Sequence, residues 1–464
     1  METIFKLVVI SLLTIPIILK AVKYNKWYIY ILFAFYTILP DTFAVEISSS
    51  LPLITGKRVL VIIVCIIWLY NIKFRERSHI PKELLVYVVI AVGISLFNLR
   101  LTIGELNNIF IIVFEQLILV MAVKSIISEE EEIYRCLEFL IYGSVVLAVI
   151  SILQTVMKID LTTALAISED RVVEVITDRM NTVRAYGVTN AIKNGCYCAF
   201  MCLITMFMYE KKKQIRYLFF MIMNAIALIC TMTRSAILAL GITMIIMVIA
   251  RNRSFFKIYY KYIITAVALV SGILIAKPSL FVGITEVFKS ILNVLGFDFE
   301  LSSDFGFNAN NASYSRMVQW SAVYYMIKEG FIVCGYGYNA FTRGCLYYHF
   351  RQFGKWTKAS ALDTGFVGMA VDGGLLGLLN NIMLWVSISI YAFINRDRKN
   401  KETDIYKLTI YISIMFFITN IASAFYNIEL LWLFMTVFFA YREINVREKI
   451  EIGKETNYEK SIKK

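Results

Sequence analysis

Long apolar runs alternate with short polar breaks along almost the whole chain. The runs fall near 4–19, 27–44, 58–72, 84–98, 106–123, 133–156, 191–209, 217–233, 235–250, 262–276, 375–394, 405–422 and 428–440. A helix needs about 20 residues to cross the hydrocarbon core of a bilayer, so each run predicts a membrane helix that borrows a few flanking residues. The pattern predicts an all-α polytopic membrane protein with about 12–13 transmembrane helices. Only 277–374 breaks the rhythm for long, and it predicts one large loop outside the membrane. The expected division is 1–276 for the N-terminal helices (about ten by the same length rule), 277–374 for the loop with the substrate site, 375–441 for the C-terminal helices and 442–464 for a polar tail.

Charge gives the runs a direction. One set of breaks is basic: Lys20/Lys23/Lys26, Lys73/Arg75/Arg77/Lys82, Lys211/Lys212/Lys213/Arg216, Arg251/Arg253/Lys257/Lys261, Arg396/Arg398/Lys399/Lys401 and Arg442/Arg447/Lys449. Short basic loops stay on the cytoplasmic side. The tail is then cytoplasmic, and 45–57, 99–105, 157–190, the turn at Arg234 and the long loop are external. The acidic run Glu129–Glu132 lies in the basic set as an exception, and acids weigh little in that rule. Strict alternation gives about 13 spans with an external N-terminus; a first run lying in the interface gives about 12 and an internal one.

Composition agrees. The 464 residues are 59% hydrophobic and 17% charged, against roughly 45–50% and 25% for soluble domains. With 5 prolines, the helices are rarely interrupted. The net charge of +13 sits in the loops between spans, so it reads as orientation and contact with membrane lipids and excludes nucleic acid as a partner. Of the 8 cysteines, Cys65, Cys136, Cys196, Cys198, Cys202 and Cys230 fall in apolar runs and read as core. Cys334 and Cys345 share the long loop, where a disulfide is expected between them. No cleavable signal is expected at the N-terminus.

Chemistry is sought on the external side. Cations are disfavoured in short external loops, so each needs a reason. Arg234 sits between two apolar runs with almost no loop around it, either as an anchor that snorkels or as an anion clamp facing a cavity. Arg184 precedes Ala185-Tyr186-Gly187 and a membrane run. Arg316 stands one helical turn before Trp320, on the same face. Guanidinium forks match phosphate oxygens, and three from separate external segments form a plausible pyrophosphate cradle. The candidate bases are Asp363, where the loop meets the next span, and His349, within Tyr347-Tyr348-His349-Phe350. Asp372 follows nine residues after Asp363, as a second acid or a surface ion pair. His79 lies in a basic loop and reads as solvated.

Four stretches resemble one family. They are Arg184-Ala185-Tyr186-Gly187, Thr233-Arg234-Ser235-Ala236, Arg316…Trp320…Gly335-Tyr336-Gly337…Phe341, and Asp363-Thr364-Gly365-Phe366-Val367…Asp372-Gly373-Gly374. Their order and placement resemble the O-antigen polymerase/ligase family of membrane glycan transferases, over roughly 184–377. The resemblance implies a GT-C-like membrane enzyme of the bacterial cytoplasmic membrane, with its site on the extracytoplasmic face. Its donor would be an oligosaccharide on undecaprenyl pyrophosphate, transferred with inversion and without metal or cofactor. It implies pyrophosphate binding by Arg184, Arg234 and Arg316 and a base at Asp363 or His349. Ligases of the family carry a histidine where Asp363 stands, which favours a polymerase of surface polysaccharide, O-antigen or capsule. A chain-length regulator and a flippase are the further partners it implies.

Three alternatives stand beside this reading. One is the ligase activity itself. Another is a polyprenyl-phosphate glycosyltransferase with its acid in the first external loop, where Asp41 and Glu46 lie. The last is a non-enzyme, a flippase or transporter of lipid-linked oligosaccharide. A flippase calls for charges deep within helices and for internal repeats, whereas this chain reads as keeping its charges at helix ends.

Overall fold

The computed structural model describes residues 26–39, 44–45, 54–70, 79–157, 178–179, 182–183, 185–250, 289, 309–350, 355–359, 362, 364–396, 404–423 and 429–462. The runs predicted at 4–19 and 262–276 lie outside these residues. Every other run is a helix. In chain order these are α1 (Trp27–Tyr36), α2 (Gly56–Tyr70), α3 (Lys82–Asn98), α4 (Gly104–Ile126), α5 (Glu130–Met157), α6 (Ala191–Lys212), α7 (Ile215–Cys230), α8 (Arg234–Ala250), α9 (Ala309–Lys328), α10 (Gly365–Asn395), α11 (Ile405–Ala422) and α12 (Glu429–Ile462). Paired strands are short: Ala44–Val45 with Ile54–Thr55, Asp178–Arg179 with Thr182–Val183, and a hairpin of Tyr347–Phe350 with Lys355–Lys358.

Among the described residues, α4, α5, α6 and α10 are long and apolar enough to cross a membrane. Helices α1, α7, α8 and α11 are apolar but shorter. α6 is the centre of the bundle, packed on α5, α7, α8 and α11 and buried along nearly its whole length. Asn190 caps its start, accepting from the Lys193 amide at 2.8 Å. α10 shows the other extreme. Leu376, Leu379, Met383, Val386, Ile390 and Phe393 recur at steps of three and four and are all exposed, so they form one continuous apolar stripe. Water would not tolerate such a stripe; lipid covers it at no cost.

Among the described residues, cations from three of the basic breaks meet acids at helix ends, the acidic run among them. Lys211 pairs with Glu130 at 3.6 Å, Lys212 with Glu131 at 3.2 Å, Arg216 with Glu138 at 2.5 Å, and Lys26 with Glu132. Arg442 reaches Glu83 at 3.0 Å. The apparent exception at Glu129–Glu132 is thus a counter-charge to the lysines, which explains acids in a basic set.

α10 begins ten residues before its predicted run, at Gly365 rather than 375. The glycines and Asp372 lower the apolar content of 365–374 without stopping the helix. The expected disulfide is not formed: Cys334 and Cys345 are free thiols. Cys334 lies at the α10 break, its carbonyl taken by Asn98 Nδ2 at 2.6 Å. Cys345 packs instead against a small second core of α9, the hairpin and the start of α10. The six cysteines of the apolar runs are buried, as expected.

Candidate active site

The site begins with two glycine motifs that lock together. Helix α10 is broken at Gly374, with φ 67° and ψ −171°. The segment leaving α9 runs along this break as a backbone partner. Leu375 N donates to Ile332 O at 2.9 Å and Leu376 N to Val333 O at 3.2 Å. Tyr336 N donates to Val371 O at 2.8 Å and Gly337 N to Asp372 O at 3.0 Å. Peptide groups freed by the break are therefore satisfied, as they must be inside a membrane protein. The approach leaves no room for side chains. A Cβ on Gly374 would stand 2.1 Å from Val333 O, and one on Gly335 2.5 Å from Gly374 N. Both glycines have positive φ, which no side chain adopts cheaply.

Beside the break lies a cavity of about 430 Å³. Its walls come from α2, α3, α4, the start of α6, the turn at Tyr338, α10 and the start of α12. Its charges are Lys57, Arg58 and Lys193 against Glu105, Glu115, Asp372 and Glu429. Arg58 Nε meets Glu115 Oε1 at 2.6 Å. Lys193 Nζ meets Glu429 Oε1 at 2.9 Å, and Tyr197 donates its hydroxyl to Glu429 Oε2 at 2.9 Å. Lys57, 4% exposed, lies with its Nζ 5.9 Å from the ring centres of both Tyr36 and Tyr197. Glu105 and Asp372 face the loop, with the loop's own Arg343 close by. Glu105 Oε1 accepts from Tyr338 N at 2.5 Å, and Asp372 Oδ1 from Ala340 N at 3.0 Å.

Helix α4 brings Glu115 in through a π-helical stretch, Ile111–Ile118, in which Glu115 and Gln116 are buried. Such stretches are rare and concentrate at functional sites. Buried charge within a span is expensive and survives where it is paired or lines a cavity; Glu115 satisfies both conditions. Tyr338 lies in the turn above, and burial pushes its phenol above the ordinary tyrosine value, with Arg58 pulling the other way. It is a neutral hydroxyl at any physiological pH.

The sequence-predicted residues fall as follows. Arg184 and Asp363 lie outside the described residues, and so does the side chain of Arg316, which belongs to α9. The segments flanking them are held in place. Ala185 N donates to Cys230 O at 3.0 Å, and Thr233 Oγ1 to Ala191 O at 2.8 Å. Gln154 clamps Gly187 through both peptide groups, each at 2.8 Å. The Ala185–Gly187 stretch and the Arg234 junction therefore meet at the start of α6. Thr364 N donates to Gln319 Oε1 at 3.0 Å, tying the start of α10 to α9. Arg234 is half-buried at the first turn of α8. His349 stands edge-on to Trp356 with centroids 5.1 Å apart, and its amide donates to Ser321 Oγ at 2.8 Å. Neither Arg234 nor His349 lines the cavity, whereas Asp372 does.

Lys57, Arg58, Glu105, Glu115, Lys193 and Glu429 were not singled out by sequence reasoning. The signals existed. Lys57 and Arg58 stand where a break expected to be external meets an apolar run, as Arg234 does, and Glu115 is an acid inside an apolar run. Charges in this chain are therefore not confined to helix ends.

A family model described as O-antigen ligase matches residues 217–382. The match runs from α7 into α10 and contains the Arg234 junction and both glycine motifs. It agrees with the resemblance to the O-antigen polymerase/ligase family. No curated protein matches the chain. The cavity charges other than Asp372 lie outside the matched residues.

Proposed function

We propose that this chain, which carries an O-antigen ligase-family domain over residues 217–382, polymerises a bacterial surface polysaccharide. It transfers glycan from an undecaprenyl-pyrophosphate donor to a sugar hydroxyl of a second lipid-linked unit. The observation that carries this reading is the charged cavity beside the broken α10, walled by apolar helices. A diphosphate leaving group needs fixed cations where its charge grows. Arg58, Lys57 and Lys193 meet that need inside the cavity, and Arg184, Arg234 and Arg316 would guide the lipid diphosphate towards it. The acceptor oxygen attacks the anomeric carbon, the bond from that carbon to the diphosphate oxygen breaks with inversion, and the acceptor proton passes to a base. Asp363, His349 and the cavity acid Asp372 are the candidates for that base. The site faces the extracytoplasmic side of the cytoplasmic membrane, opposite the lysine-rich end, in a GT-C-like arrangement with its large loop outside.

Ligation is the second reading, and the description of the matching family favours it. Asp363 in place of the ligase histidine favours the polymerase. One assay separates them: purified protein with lipid-linked repeat units isolated from cells that lack this chain. A ladder of lengthened lipid-linked glycans is the expected product. Product formed only after a lipid A-core acceptor is added would replace the polymerase by a ligase, and no product with either would refute both. In the same assay, loss of the catalytic base lowers the rate by about 10²–10⁴-fold. Asp363→Asn is expected to fall in that range, with His349→Ala near wild type; the reverse result moves the role to His349.

A further inference from the structure

Tyr338 is held more firmly than any loop tyrosine needs to be for packing. Its N–H donates to Glu105 Oε1 at 2.5 Å, and its carbonyl accepts from Arg343 Nε at 3.2 Å. The residues on either side have left-handed backbone, Gly337 at φ 89° and Asn339 at φ 56°. Two residues on, Ala340 N is fixed by Asp372 Oδ1 at 3.0 Å. Glu105 comes from α4 and is 1% exposed, and a Cβ on Gly337 would lie 2.5 Å from its Oε1. Two carboxylates from separate helices thus clip one strained turn by its amides. Tyr338 thereby lines the cavity, which Arg58, Asp372, Glu115 and Glu429 line as well.

A pyranose has one face of C–H bonds and a rim of hydroxyls. An aromatic ring in a cavity that carboxylates and carboxamides also line matches both, and Asn108 and Asn381 supply the carboxamides. We propose that Tyr338 seats the first sugar of the lipid-linked donor, the ring joined to the diphosphate, and that Glu105 and Asp372 are positioning residues that hold Tyr338 there. The placement of Tyr338 beside Arg58 selects that ring over sugars further along the glycan. This inference rests on the glycan-transfer reading above. It adds a specificity element for which α4, outside the matched family residues, supplies one of the two anchors.

The test measures transfer rate against concentration of radiolabelled repeat units, isolated from cells lacking this chain, for purified variants that elute as a single species in detergent. Tyr338→Phe keeps the ring and should hold KM within about twofold of wild type, while Tyr338→Ala should raise it about tenfold or more with kcat changed less than about threefold, the pattern of lost substrate binding. Glu105→Ala should copy Tyr338→Ala, and Glu105→Gln should restore wild-type KM, because the glutamine oxygen still accepts the Tyr338 amide. Wild-type KM in Tyr338→Ala overturns the proposal. So does Glu105→Gln as defective as Glu105→Ala. If a Glu105 variant does not fold, Tyr338→Ala alone decides, since its backbone anchors remain. Wild-type protein that transfers nothing overturns the glycan-transfer reading and this proposal with it; active wild type with an unaffected Tyr338→Ala overturns this proposal alone.

Discussion

Arg234 begins α8 at a junction stitched to the start of α6 by Thr233 and to the Ala185 segment through Cys230. With the segments before it tied to their neighbours, Arg234 is expected to act on a ligand through its guanidinium. Arg234→Ala should therefore abolish polymer in cells at unchanged protein level. Arg234→Lys should be partly active at best, because lysine keeps the charge and loses the two-pronged fork. Immunoblotted polymer against protein abundance reads both, and normal polymer in Arg234→Ala would remove Arg234 from the site. At this scale the sequence was only partly legible. Arg234 and Asp372 stood out because a charge beside or within an apolar run is conspicuous. Lys57 and Arg58 looked like the end of a loop. That they close on Glu115 and on two tyrosine rings depends on how α2 packs on α4, which no local pattern encodes.

At the scale of elements, the apolar runs located every described helix except α9, which lies in the stretch read as the large loop; lipid demands length and apolarity from each span independently. The runs did not find the break in α10. Asp372-Gly373-Gly374 read as the end of a loop, and only its pairing with 332–337 shows it to be the middle of a helix. That pairing makes Gly374 a position without substitutes. A backbone at φ 67° and ψ −171°, a region populated essentially by glycine, costs a residue with a side chain about 1–3 kcal/mol, and the added methyl would also displace the Val333 carbonyl. Gly374→Ala is expected to lower the thermal unfolding temperature in detergent and to abolish transfer. Gly373→Ala, where a methyl group meets nothing within 4 Å, is expected to leave the unfolding temperature unchanged. Equal stability of Gly374→Ala and wild type would mean that the interlock is not what holds the loop to the bundle.

The whole molecule is polarised. Among the described residues, the pairs of Lys26, Lys211 and Lys212 with Glu130–Glu132 gather at one end, and the cavity, the glycine interlock and the start of α6 gather towards the other. By the charge rule we propose that the first end is cytoplasmic and that the cavity is external. An impermeant thiol reagent on intact cells tests this with single cysteines introduced into a cysteine-free chain. Lys355→Cys should label and Lys212→Cys should not; the opposite pattern would invert the protein and separate the cavity from an external lipid-linked substrate.

That the chemistry occurs in the cavity beside the α10 break is the claim on which the rest depends. Asn381 lines that cavity from α10, one turn past Gly377, whose carbonyl accepts from its amide at 3.0 Å. Asn381→Cys can be blocked by a bulky thiol reagent and the purified protein then assayed with lipid-linked repeat units, with reagent-treated wild type as the control for Cys334 and Cys345. Transfer should fall with the extent of modification, and repeat units added beforehand should slow the modification. Undiminished transfer by fully modified Asn381→Cys protein would contradict the account, because the reaction would then be taking place somewhere else.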